Sequence, residues 1–293
     1  MERCLPGNVQ LVEQRGMNMK FVVRGQTYYV EMHGKGQPIL LLHGFTGSCQ
    51  TWHPLVSMWE QHMQCIAIDI LGHGQTDAPS SIQRYHIDMV AQDVAMLLEQ
   101  LGIKKAHVLG YSMGGRLALT FAVRYPQYVQ TLILESSSPG LKTEEERMKR
   151  REEDERLAQF IEQHGVASFV DRWENIPLFS SLKRLSEDVQ QRLREERLQH
   201  TAIGLANSLR GMGTGAQPSW WEALSQLMFP TLLICGEDDE KFCRIASEMV
   251  QLLPNGTLIT VPNAGHVVHL EQRDRFCTLV QQFVLRGGLL HGD

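Results

Sequence analysis

A serine framed by glycines, in Gly110-Tyr111-Ser112-Met113-Gly114, is the most chemically suggestive point of the chain. The spacing is G-x-S-x-G, with an apolar run (106–109) before it and a helix-favouring stretch after it. Glycine on both sides allows the sharp turn that lifts a serine hydroxyl clear of a sheet. That hydroxyl is a weak nucleophile or base until an imidazole takes its proton, and the imidazole works best when a carboxylate orients it. Two later segments supply both partners. Asp238 and Asp239 follow an apolar run that ends at Cys235, and the spacing from Gly236 favours Asp239; His266 follows a run that ends at Val261. Both leave the C-terminal ends of expected strands, where open α/β sheets gather their sites. A lone histidine among twelve is usually structural, so His266 draws its weight from this position.

Ser, then Asp, then His is the chain order of the α/β-hydrolase fold. In that fold an early strand-to-loop transition contributes a backbone N–H to a developing oxyanion. Here Leu41-Leu42-His43-Gly44-Phe45-Thr46-Gly47-Ser48 fits, so the amides of Phe45 and Met113 are the expected donors. The nearby Asp69-x-x-Gly72-His73-Gly74 reads as a structural turn.

Arg116 is less expected. It falls in the first turn of the helix that Ser112 begins, where a cation meets the unfavourable end of the helix dipole, at a cost of up to about 1 kcal/mol. An anion beside it would offset that cost, either an internal carboxylate or a bound acid. Further cations stand in the charged stretches 144–151 and 193–197, but their acidic neighbours nearly balance them, and exposed pairs contribute little. Periodicity does not choose which of these arginines points inward.

The elements that must position these residues follow from short apolar runs at 28–32, 39–42, 65–69, 106–110, 131–134, 231–235 and 257–261, read as strands. Helical patterns cover 89–101, 114–123, 245–253 and 273–285, so strands and helices alternate as in a mainly parallel sheet. The alternation stops at Ser138-Pro139-Gly140 and resumes at Phe229-Pro230-Thr231. The expected organisation is an α/β core formed by 1–141 and 216–293, interrupted by a helical cap at 142–215.

A chain of 293 residues with 43% hydrophobic and 21% charged residues can bury a large core as one unit. A net charge of −5 carries no global basic field for nucleic acid. The N-terminus lacks a basic start with an apolar run behind it, and no stretch has eighteen consecutive apolar residues, so a cytoplasmic protein without membrane insertion is expected. Six cysteines, at positions 4, 49, 65, 235, 243 and 277, form no C-x-x-C pair and no matched His spacing. Buried, reduced thiols are expected rather than disulfides or a metal site, and no cofactor is signalled.

These residues resemble a known family. His43-Gly44-Phe45-Thr46-Gly47-Ser48 with Trp52, Gly110 through Arg116, Ser138-Pro139-Gly140-Leu141 before an arginine-rich helix, and Cys235-Gly236-Glu237-x-Asp239-x-Lys241-Phe242 are similar to the 2-succinyl-6-hydroxy-2,4-cyclohexadiene-1-carboxylate synthases of menaquinone biosynthesis. The similarity runs from about residue 35 to 285, and the chain departs from the family pattern in an N-terminal extension of about twenty residues. It implies an α/β-hydrolase fold, a triad of Ser112, Asp239 and His266, and a pocket lined by Tyr111 and Arg116. In the insertion it implies that Arg150, Trp173 and Arg197 face the substrate, with Arg147, Arg151 and Arg194 each within one helical turn of these arginines. The implied reaction eliminates pyruvate from a small tricarboxylate, and guanidinium groups grip such acids in a planar, two-pronged way. The same triad serves ester, thioester and carbon–carbon hydrolases, and some ligand-binding receptors keep the scaffold. Arg116 and the insertion's arginines argue against a neutral ester as substrate.

Overall fold

Runs of Leu, Ile and Val that are buried on both faces make central strands of a parallel sheet, and the middle of this sheet is built from them. The computed structural model describes residues 16–289. Its strands are β1 (Met17–Val23), β2 (Gln26–His33), β3 (Gln37–Leu42), β4 (Met63–Ile68), β5 (Ala106–Tyr111), β6 (Val129–Glu135), β7 (Thr231–Gly236) and β8 (Gly256–Val261). They form one sheet in the order β1-β2-β4-β3-β5-β6-β7-β8. The pairs β1/β2 and β2/β4 are antiparallel, and every pair from β4 to β8 is parallel.

The helices outside the insertion are α1 (His53–Trp59), α2 (Ile87–Gln100), α3 (Met113–Arg124), α7 (Glu240–Leu252), α8 (Val268–Glu271) and α9 (Arg273–Leu285). Alternate residues of each strand go to opposite faces. Leu40, Leu42, Val108, Leu132 and Leu233 pack with α2, α3 and α7. Ile39, Leu41, Leu109, Ile133 and Leu232 pack with α1 and α9.

Between β6 and β7 the chain forms α4 (Glu144–Trp173), α5 (Glu187–Leu198) and α6 (Ala202–Met212). Thr143 opens α4 with a capping box to Glu146, and α4 is kinked at Gly165, where φ is +79°. Leu205, Ala206 and Leu209 of α6 bury against Ala158, Ile161, Phe169 and Val170 of α4 as a third core. The chain returns through Trp220, whose N–H donates to the Pro139 carbonyl at 2.7 Å.

Helices α1 and α8 are not among the expected elements, and two further elements differ from expectation. Strand β1 lacks an apolar run because it is an edge, with Met17 and Val22 exposed. Helix α7 begins five residues ahead of the expected 245, because the Asp239 carboxylate caps it by accepting the Phe242 N–H. Cys49, Cys65, Cys235, Cys243 and Cys277 are free thiols, and Cys4 lies outside the described residues. No helix among the described residues is long and apolar enough to cross a membrane.

Candidate active site

Ser112 sits on the turn from β5 into α3 with φ +52° and ψ −109°. A side chain rarely holds such a conformation, which costs about 1–3 kcal/mol and persists only where the surroundings impose it. The packing shows what imposes it. A Cβ on Gly110 would stand 2.3 Å from the Gly114 carbonyl oxygen, and one on Gly114 would stand 2.1 Å from that of Leu42. Both glycines of the motif are therefore demanded by backbone contact. The Ser112 N–H donates to the Glu135 carbonyl at 2.9 Å.

Ser112 Oγ lies 3.0 Å from His266 Nε2, and His266 Nδ1 lies 2.6 Å from Asp239 Oδ2. With Nδ1–H donating a hydrogen bond to the carboxylate, Nε2 is left to accept the serine proton. Asp238 is elsewhere, paired with Arg184 at 2.7 Å. The His266 ring is enclosed by Phe242 at 4.7 Å, Tyr111 at 5.5 Å and Phe179 at 6.1 Å between ring centres.

Among the described residues, neither the Phe45 nor the Met113 N–H has a hydrogen-bond acceptor. Met113 is the first residue of α3, and N–H groups of a first turn have no partner within their own helix. The Phe45 loop is held from behind. His43 Nδ1–H donates to the Gly44 carbonyl at 2.8 Å while its Nε2 accepts the Ile70 N–H at 2.9 Å. Only a neutral imidazole does both, and burial pushes this one down to about 3. From the insertion, His200 Nε2 donates to the Thr46 carbonyl at 2.8 Å, and the Glu196 carboxylate accepts from Ser48 Oγ at 2.6 Å. Asp69 shapes the neighbouring turn by accepting the N–H groups of Cys49 and Gln75.

The arginines divide into two groups. Arg116 is half-buried and donates to the Met212 carbonyl at 2.5 Å and, more weakly, to Gln217 Oε1 at 3.4 Å. Its direct partners are neutral, and no carboxylate among the described residues lies within ion-pair distance of it. Burial first, then repulsion from Arg150, pushes its guanidinium down to about 10. Arg150 pairs with Asp154 at 2.8 Å, and the other carboxylate oxygen, buried, has no hydrogen-bond partner among the described residues.

Arg197 is the second group. It is buried, its guanidinium lies 5.2 Å from the centre of the Phe179 ring, and it has no acidic partner within ion-pair distance among the described residues. It lines a cavity with Tyr111, Phe45, Phe179, Glu196 and His269; Ser112, His266, Trp173, Arg116 and Arg150 do not line it. Arg147 and Arg151 are both held by Glu144, and Arg194 by Asp171 and Glu174. Trp173 stands edge-on to Phe45 at 5.5 Å and to Phe179 at 5.6 Å, and its buried indole N–H has no acceptor among the described residues.

Several residues at the site carry no motif. Phe179 touches Arg197, Trp173 and His266 from a short helical turn at Pro177–Arg184. The buried pair of Glu135 and His269 lies directly behind Tyr111. The available signals were a carboxylate at the end of an apolar strand and a second histidine three residues after His266.

A buried carboxylate, an imidazole and a strained serine at the C-terminal edge of a mostly parallel sheet define a class. The chain belongs to the α/β-hydrolase fold family, whose family model matches residues 37–272. Within it the chain belongs to the 2-succinyl-6-hydroxy-2,4-cyclohexadiene-1-carboxylate synthases. A Bacillus subtilis protein provisionally given that name is 50% identical over 85% of this chain and 90% of its own length. The synthase of that name from Salmonella paratyphi C is 34% identical over 82% of this chain and 92% of its own. Among solved structures, MenH from S. aureus superimposes with a TM-score of 0.85 at 34% identity, covering 88% of this chain and 98% of that one. A thermophilic esterase from Thermogutta terrifontis superimposes with a TM-score of 0.82 at 24% identity, a likeness of fold alone.

Proposed function

We propose that this chain eliminates pyruvate from 2-succinyl-5-enolpyruvyl-6-hydroxy-3-cyclohexene-1-carboxylate, giving 2-succinyl-6-hydroxy-2,4-cyclohexadiene-1-carboxylate. The observation that carries the reading is Arg197, a buried guanidinium with no acid within ion-pair distance among the described residues, in a cavity walled by the Tyr111 ring that also flanks His266. A buried cation without its counter-charge is costly. A substrate with several carboxylates supplies what is missing. Arg116, whose direct partners are neutral, is the second cation offered to such arms, and Arg150 beside it the third. Trp173 offers its unpartnered indole N–H to the same molecule.

In the proposed mechanism Asp239 orients His266, and His266 draws the proton from Ser112. The serine oxygen removes the ring proton next to the succinyl ketone. The electron pair enters the ketone as an enolate, whose oxygen accepts the Phe45 and Met113 N–H groups, each such donor contributing roughly 3 kcal/mol. As the enolate collapses, a double bond forms to the ring carbon that bore the proton, and the existing ring double bond shifts by one position. The carbon–oxygen bond to the enolpyruvyl group breaks. The departing enolate takes up a proton and becomes pyruvate. Ser112 acts as a base and forms no acyl-enzyme. The elimination is redox-neutral, so the steps require no cofactor.

Residues 142–215 are proposed to act as a cap, bringing Arg150, Trp173 and Arg197 over a core built from 1–141 and 216–293. Supplying the enolpyruvyl substrate and measuring pyruvate tests the reading. Rapid cleavage of neutral p-nitrophenyl esters without pyruvate release would favour an ester hydrolase.

A further inference from the structure

Glu135 ends β6 with its side chain fully buried, and a carboxylate so placed must be paired or strongly hydrogen-bonded. Its partner is His269, itself 1% exposed. His269 Nδ1 lies 2.9 Å and 2.8 Å from the two carboxylate oxygens, and the His269 backbone N–H donates to one of them at 3.0 Å. These bonds pin the first turn of α8, and His266 lies three residues before His269 on the loop that enters that turn. On its other side, the backbone carbonyl of Glu135 accepts the Ser112 N–H at 2.9 Å. One residue thus holds the strained serine turn through its main chain and the histidine loop through its side chain.

The connection has further supports. The Tyr111 ring meets the His269 ring edge-on at 4.7 Å and the His266 ring at 5.5 Å, so the residue before the serine is wedged against both imidazoles. The Glu271 carboxylate accepts the N–H groups of Gly265 and Val267, bracing the same loop from the other direction. Glu271 has no bond to the serine turn. Glu135 alone among these acids bridges the two halves of the reacting pair.

We propose that Glu135, acting through His269, is a positioning residue that sets the distance between Ser112 Oγ and His266 Nε2. The inference rests on the reading of those two residues as the reacting pair. Glu135→Gln keeps the main-chain bond to Ser112 and one side-chain oxygen for the His269 N–H. It puts an amide nitrogen in place of the oxygen 2.8 Å from Nδ1 and leaves the one at 2.9 Å, so it weakens only the side-chain tie. A displacement of the order of 1 Å at a reacting centre costs about 100-fold in rate. Partial loosening is therefore expected to lower kcat by about tenfold or more, with KM within twofold of the parent and an unchanged folded signal by circular dichroism.

The decisive experiment compares Glu135→Gln, His269→Asn and His269→Phe. It measures pyruvate release and, separately, the rate at which a fluorophosphonate labels Ser112. In the labelling reaction the Ser112 oxygen bonds to phosphorus, fluoride leaves, and the serine proton passes to His266, so no particular acid substrate is needed. Asparagine can place an amide N–H where Nδ1–H stood, so His269→Asn is expected to retain labelling within about threefold. His269→Phe keeps an aromatic ring against Tyr111 but leaves Glu135 only the main-chain N–H of that residue, with no side-chain donor, and is expected to lose at least tenfold like Glu135→Gln. Folded Glu135→Gln protein with kcat and labelling rate within twofold of the parent would overturn the proposal, even with pyruvate release established. Loss of labelling in Glu135→Gln, in a protein that releases no pyruvate, would support the anchor while refuting the reaction. A parent that neither releases pyruvate nor takes the label would overturn both.

Discussion

Ser112 and His266 stand 154 positions apart in the chain, yet Oγ and Nε2 are 3.0 Å apart and both belong to loops leaving the C-terminal ends of strands. The contact is sustained from the far side by the 2.6 Å bond from His266 Nδ1 to Asp239, which also caps α7. Asp239→Asn removes the acceptor that selects the Nδ1–H tautomer. It is expected to reduce kcat for pyruvate release by about a thousandfold or more while the chain stays folded. Initial rates paired with a thermal melt check this.

Among the described residues no acid lies within ion-pair distance of Arg197, so its replacement should be felt by substrate rather than by the fold. Arg197→Ala is expected to raise KM about 100-fold, the equivalent of one charge-assisted hydrogen bond of roughly 2.7 kcal/mol. Arg197→Lys should recover only part of this, because lysine lacks the planar fork. Arg194, tied to Asp171 and Glu174, provides the comparison, and Arg194→Ala should leave KM within twofold. Steady-state kinetics on the three variants separates them.

Acid should destabilise this protein through histidines held neutral. His107, between Thr131 Oγ1 and Gln37 Oε1 at 2.8 Å each, is pushed down to about 4 by burial. Its ordinary value is 6.5. Between those values the unfolded chain binds a proton that the folded chain refuses, so stability falls as pH falls, by about 1.4 kcal/mol per pH unit for one group. His43, held at about 3, acts in the same direction. His107→Gln removes one such proton. The stability difference between parent and variant, from urea unfolding, is expected to shift by about 2 kcal/mol in the variant's favour between pH 6.5 and pH 5.

Much of the framework was legible because its signals are local. The glycines around Ser112 announce a turn that only glycine can pack, and the parallel strands announce themselves as apolar runs. Edge strand β1 carries no such run, since half-exposed antiparallel edges need none. The carboxylate of choice, Asp239 over Asp238, was readable from its spacing after Gly236. Which arginine lacks an acid was not, because Arg147, Arg150, Arg151, Arg194 and Arg197 all lie on helices rich in both charges. Their pairing depends on how α4, α5 and the core meet. For Arg116, an offsetting carboxylate was one expected partner, and a helix-end carbonyl, that of Met212, took its place. The tie between Glu135 and His269 spans 134 residues and leaves no motif.

In the proposed elimination the Ser112 oxygen, made basic by His266, takes the ring proton in the first step. The most direct test of that step is pyruvate release from the enolpyruvyl substrate by the parent protein and by Ser112→Ala. Rapid release by the parent and a loss of at least about a thousandfold in the variant are expected. Release by Ser112→Ala at a rate close to the parent's would contradict it.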